Sequence, residues 1–68
     1  MNSMLTGCNT SEKIRALIAS RNQTQNDLAK ILGLSAPAIV DRISANRWDV
    51  KEIEKIAECF RIDPKELI

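Results

Sequence analysis

Residues 24–44 read TQNDLAKILGLSAPAIVDRIS, and this stretch decides the fold. Thr24 stands three positions before Asp27, the spacing of a reciprocal cap in which each side chain takes one orphan backbone N–H at a helix start. Leu28, Ala29 and Leu32 follow as an apolar stripe of helical period. Gly33 closes this helix, because the residue after a last turn often needs positive φ, which glycine adopts cheaply. After the turn Gly33-Leu34-Ser35, the Ser35 hydroxyl caps the next helix. Its first turn tolerates Pro37, since the missing N–H had no helical partner. Ile39 and Ile43 point inward, and Ala36, Pro37, Val40, Asp41 and Arg42 lie on the other side. Two short helices joined by so tight a turn meet the helix-turn-helix requirement, because a longer loop lets the second helix drift from its crossing angle.

Upstream, Ile14, Leu17 and Ile18 recur at helical spacing after the polar Thr10-Ser11 start, with Glu12 in the first turn where the helix dipole favours it. Downstream, Asp49 and Glu52 form another reciprocal cap. Trp48 is placed to staple against Ile53, and Ile53, Ile56, Ala57 and Phe60 form the core face. Trp48 also has the character of an exposed interface anchor. The same grammar closes the chain: Asp63 caps, Pro64 follows, Glu66 completes the box and Ile62 staples Leu67. No interval calls for a strand. The expectation is an all-α fold, a compact bundle of about five short helices over residues 11–68, preceded by a tail, residues 1–10. The helix-turn-helix unit spans about residues 24–45.

A chain of 68 residues is one domain near the lower limit for a self-sufficient core, so stability is marginal unless it dimerises. Apolar runs are far shorter than the roughly 20 residues that cross a bilayer, so no membrane contact is expected. Residues 1–9 lack the basic start and apolar stretch of a secretory signal, so a cytoplasmic location is expected, and Asn9-Thr10-Ser11 and Asn22-Gln23-Thr24 read as capping and turn chemistry rather than glycosylation sites. Cys8 and Cys59, with no histidine in the chain, are too few for a zinc site. In a reducing compartment they read as a terminal thiol and a core-facing thiol, with a disulfide as the alternative. No triad, dyad or Gly-rich phosphate cradle is present, so no enzyme, cofactor, metal or small-molecule substrate is expected. Net charge is +1, but residues 1–47 hold six Lys/Arg against three Asp/Glu, and residues 48–68 hold four against six. The basic side is the N-terminal two-thirds, and an acidic C-terminal part would point away from phosphates.

With the downstream WDVKEIEKIAECFRIDPKELI, residues 48–68, the stretch resembles the Cro and lambda-repressor (XRE-like) helix-turn-helix regulators. The resemblance covers about residues 11–68 and is most specific at Thr24-Gln25, Leu28-Ala29, Gly33-Leu34-Ser35 and the Leu32-to-Ile39 interval. It implies a lambda-repressor-like domain that binds double-stranded DNA, with the helix after Ser35 in the major groove and Thr24-Gln25 at the phosphate backbone. Gln25 is then the expected phosphate clamp. Ala36, Pro37 and Asp41 take the base-reading positions beside Ser35, and Asn46 and Arg47 fall where the family makes further backbone contacts. It also implies a homodimer on a palindromic operator, joined through a C-terminal patch of Val50, Leu67 and Ile68. The plainer reading has Leu67 completing the monomer core.

Base edges are usually read by Gln, Arg, Asn or Lys, and this chain offers Ala, Pro and Asp there. Ala36, Pro37 and Val40 suit thymine methyl groups, and Asp41 suits a cytosine amino group. Arg42 either touches DNA, pairs with a carboxylate such as Asp41, or lies solvated. Lys13, Arg15, Arg21 and Lys30 read as solvated helix surface. Ile31 and Val40 are the apolar residues hardest to place inside. A phage- or prophage-like repressor or Cro-type regulator follows. The alternative is a helix-turn-helix interaction module, an antitoxin half or adaptor with little or no DNA binding, favoured by the near-neutral charge and the Ala-Pro-Asp face.

Overall fold

Capping chemistry opens every helix. The computed structural model describes residues 9–68: α1 (Thr10–Ser20), α2 (Gln25–Leu32), α3 (Ala36–Ala45), α4 (Val50–Phe60) and a 3₁₀ turn, Pro64–Leu67, with no strand among the described residues. Cys8 and the expected tail up to residue 8 lie outside them. At α1 the cap is Asn9: its Oδ1 accepts from the Glu12 N–H at 2.9 Å, and Glu12 Oε1 accepts from the Asn9 N–H at 3.1 Å. The helix therefore starts at Thr10, inside the expected tail. Ser35 Oγ accepts from the Ala38 N–H at 3.3 Å and Glu52 Oε1 from the Asp49 N–H at 3.0 Å. The expected fifth helix is a single 3₁₀ turn. Four residues are too few to build an α-type ladder, and the tighter i→i+3 pattern satisfies them instead.

Left-handed residues end α2, α3 and α4: Gly33 at φ 68°, Asn46 at φ 51° and Arg61 at φ 58°. At Gly33 the turn is locked by the Leu34 N–H donating to the Ala29 carbonyl at 2.9 Å. A Cβ at Gly33 meets nothing within 4 Å, so the cost of an alanine there is conformational alone. Gly33→Ala is expected to lower the unfolding free energy by about 1 kcal/mol in urea titrations. An unchanged midpoint would contradict this account of the turn.

The core is Ile14 and Ile18 of α1, Leu28 and Ala29 of α2, Ile39 of α3, Ile53, Ile56, Ala57 and Phe60 of α4, and Leu67. α2 packs against α1, α3 and α4, and the 3₁₀ turn closes against α1 and α4. Several expectations change. Leu67 is only 2 % exposed, so it belongs to the monomer core and leaves Val50 and Ile68, each 71 % exposed, as the open apolar side chains of that end. Cys59 is exposed, not core-facing: it lies about 100° around the helix from Phe60, just off the apolar stripe. Ile31 is half-buried against the core, which leaves Val40 as the exposed one of the pair. Trp48 packs on the core as a plug. Arg21 is exposed, as expected of helix surface, but it is also engaged. Its Nη1 donates to the Phe60 carbonyl at 3.1 Å and its guanidinium lies 5.9 Å from the Phe60 ring centroid, so it satisfies an orphan carbonyl at the end of α4. Lys13 Nζ likewise donates to the Ile68 carbonyl, at 2.8 Å. No helix among the described residues is long and apolar enough to cross a membrane.

Candidate nucleic-acid interface

α3 is held to the core by Ile39, with Ile43 half-buried beside it, and it therefore shows the opposite face to solvent. Ser35, Ala36, Pro37, Val40 and Asp41 are all exposed there, in one continuous strip. Their side chains carry a hydroxyl, three apolar groups and a single carboxylate. Arg42 stands at the edge of this strip, and its Nη1 donates to Glu52 Oε1 at 3.0 Å, with only 28 % and 14 % of the two side chains exposed. The same Glu52 oxygen accepts from the Asp49 N–H. Arg42 thus braces α3 against the start of α4. The carboxylate it uses is Glu52, not the neighbouring Asp41, because Asp41 stays on the open face. No sequence signal pointed to Glu52, whose capping role was legible and whose reach across the loop was not.

At the start of α2, Thr24 is fully engaged. Its N–H and Oγ1–H donate to Asp27 Oδ2 at 2.9 and 3.0 Å, and its Oγ1 accepts from the Asp27 N–H at 3.2 Å. Gln25 and Asn26, the first two helical residues, keep amide N–H groups without helical partners, a natural setting for an anion. The side chain of Gln25 shares a shallow groove with Arg15 and Gln23, which brings to the site a cation that the sequence reading had set aside as surface.

The Thr24 backbone hydrogen bond, helped by the Thr24 hydroxyl and by Lys30, holds the Asp27 carboxyl below its ordinary pKa of 3.8. A depressed folded-state pKa means that the stabilising bonds are complete above the unfolded value and are lost as pH falls through the folded one. The Asp27 carboxyl carbon is expected to titrate below 3.8 in an NMR pH series, and Thr24→Val to move it toward that value. No upward movement would mean that the hydroxyl plays no part.

The loop after α3 is pinned rather than loose. Asn46 Oδ1 accepts from both the N–H and the hydroxyl of Ser11, each at 3.0 Å, and Ser11 Oγ in turn accepts from Trp48 Nε1–H at 2.9 Å. Ser11, 2 % exposed, is the buried polar residue of the described chain. Between these anchors Arg47 is exposed, with its backbone N–H donating to the Arg42 carbonyl at 3.2 Å and its guanidinium without an ion pair. Asn46, expected as a phosphate contact, uses its carbonyl oxygen internally. A groove lined by Ala38, Asp41, Arg42, Ala45 and Arg47 runs alongside. No group of three or more His, Cys, Asp or Glu among the described residues is arranged to hold a metal ion.

The described chain thus carries Gln25 at the start of α2, the exposed strip of α3 and Arg47 in the loop after it. A family model described as the Cro/C1-type helix-turn-helix DNA-binding domain matches residues 13–68. Neither the curated proteins nor the solved structures gave a significant match to the chain. The match runs from α1 to the closing 3₁₀ turn and includes all of these elements, and the chain belongs to the family of Cro/C1-type helix-turn-helix DNA-binding domains.

Proposed function

We propose that the protein is a transcriptional regulator of the phage or prophage repressor or Cro type, which occupies a palindromic operator as a homodimer in the cytoplasm. The observation that carries this reading is the strip Ser35, Ala36, Pro37, Val40 and Asp41, exposed on α3, together with the backbone N–H groups of Gln25 and Asn26 that lack helical partners and the Arg47 guanidinium, which has no ion pair among the described residues. α3 enters the major groove. Gln25 and Arg47 meet phosphates on either side, with Thr24 shaping the helix start rather than touching DNA. Asn46 sets the loop, and Arg42 acts as the brace of the reading helix. The dimer seam uses Val50 and Ile68.

Affinity then comes mainly from phosphate contacts and falls steeply with salt. Fluorescence anisotropy on duplex DNA across a salt series tests this. Gln25→Ala with Arg47→Ala is expected to weaken binding by about 2 kcal/mol, roughly thirtyfold, and to flatten the salt slope by about 1. A double variant that binds like the parent would sink the groove-docking model. In the best duplex from a random-sequence selection, replacing a contacted thymine by deoxyuridine is expected to cost about 0.8 kcal/mol, roughly fourfold, because the apolar strip reads the methyl group.

A second reading has one observation in its favour. Val40 is 50 % exposed beside Ala36 and Pro37, which suits a protein partner as well as a methyl group. Failure of all duplexes to bind at low salt, with capture of a protein partner lost in Val40→Asp, would favour that interaction module.

A further inference from the structure

We infer that Ser11, in the first turn of α1 and far from the reading helix in sequence, is a positioning residue for DNA binding that acts through Arg47. The inference rests on the reading of Arg47 as a phosphate contact. Four consecutive residues after α3 are each held by a hydrogen bond. Asn46 is held by its side chain on Ser11, and Arg47 by its N–H on the Arg42 carbonyl. The Trp48 indole is held by Ser11 Oγ, and the Asp49 N–H by Glu52. Two of the four end on one buried residue. The Ser11 hydroxyl donates to the Asn46 side chain and accepts from the Trp48 indole, so one side chain ties down the residues on both sides of Arg47.

Asn46 also sits in the left-handed region, which sharply redirects the chain as it leaves α3. Backbone bonds from the Asn46 and Arg47 N–H groups to the end of α3 hold the turn itself, and the Asn46 side chain adds the tie to α1. Fixing one residue's backbone costs about 1–2 kcal/mol, and a segment already fixed in the free protein avoids that loss on binding. Without the Ser11 hydroxyl the indole N–H loses its partner, the Asn46 side chain keeps only the Ser11 N–H, and Arg47 samples orientations that miss the phosphate.

The test uses the full chain and a mixed-sequence duplex of about 20 base pairs, a probe that reports phosphate contacts without requiring the operator. Ser11→Ala is expected to weaken binding about fivefold in the parent, which corresponds to the entropy of about one ordered residue, and to change nothing in the Arg47→Ala background. Trp48→Phe keeps the apolar plug and removes the donor, and is expected to act in the same direction. It serves as the second variant if Ser11→Ala unfolds. A ¹⁵N relaxation measurement supplies a readout independent of DNA, in which the Arg47 amide order parameter falls from about 0.85 toward 0.6 in either variant. Equal weakening with and without Arg47 overturns the inference, as does an unchanged order parameter. An Arg47→Ala variant that binds and responds to salt as the parent does removes the phosphate reading itself. If the order parameter still falls in that case, the clamp is real but serves no phosphate contact.

Discussion

Ile39→Ala is expected to lower the unfolding free energy by about 3–4 kcal/mol and to weaken DNA binding as the folded fraction falls. Ile39 is fully buried and is the one residue of α3 buried in the core. Truncation removes transfer energy and leaves a cavity, a combined cost of about 2–5 kcal/mol at such sites. The whole domain, at this length, has about 3–10 kcal/mol to lose. A cut of that size removes about a third or more of that stability, and binding falls with the folded fraction. Urea unfolding monitored by circular dichroism gives the stability directly. Val40→Ala, one position along but half-exposed, is the control, expected to move stability by no more than about 0.5 kcal/mol. If Ile39→Ala unfolds at the parent's urea midpoint, α3 is anchored by something other than this side chain.

The second large effect lies at the other end of α3. Asn46→Ala places a Cβ-bearing residue without a polar side chain at φ 51°, costing about 1 kcal/mol, and strips Ser11 of the acceptor for both its N–H and its hydroxyl, costing about 2 kcal/mol more because Ser11 is buried. A fall in Tm of at least about 10 °C follows for a domain this small. Asn46→Gly separates the two causes, since it keeps the backbone conformation and loses only the acceptor. It is expected to show the larger part of the effect but not all of it. Equal stability of the Ala and Gly variants would remove the conformational part of the account.

These two sites differ in how far the sequence exposed them. Ile39 was legible because helical period, the Ser35 cap and the Gly33 turn are local rules, each fixed by residues within one or two turns. The same locality made Thr24-Asp27, Asp49-Glu52 and Asp63-Glu66 readable as caps. What α3 shows to solvent followed from what it buries, so the strip from Ser35 to Asp41 was legible too. The clamp on Asn46 was not. It depends on α1 crossing near the end of α3, and nothing in the neighbourhood of Ser11 marks a serine as buried. Arg42 pairing with Glu52 and Arg21 closing over Phe60 also arise only when distant helices meet. Periodicity failed by a single position at Cys59, where an apolar residue at the border of a stripe falls on either side.

The bonds that join Ser11 to Asn46 and Trp48 span 35 and 37 positions of the chain. Contacts of that separation bear a larger loop-closure entropy than the turn between α2 and α3. Fixing the loop after α3 thus costs the chain more closure entropy than joining α3 to α2 does. On the proposed reading of Arg47, a grip on phosphate therefore depends on α1 as well as on the helix-turn-helix unit.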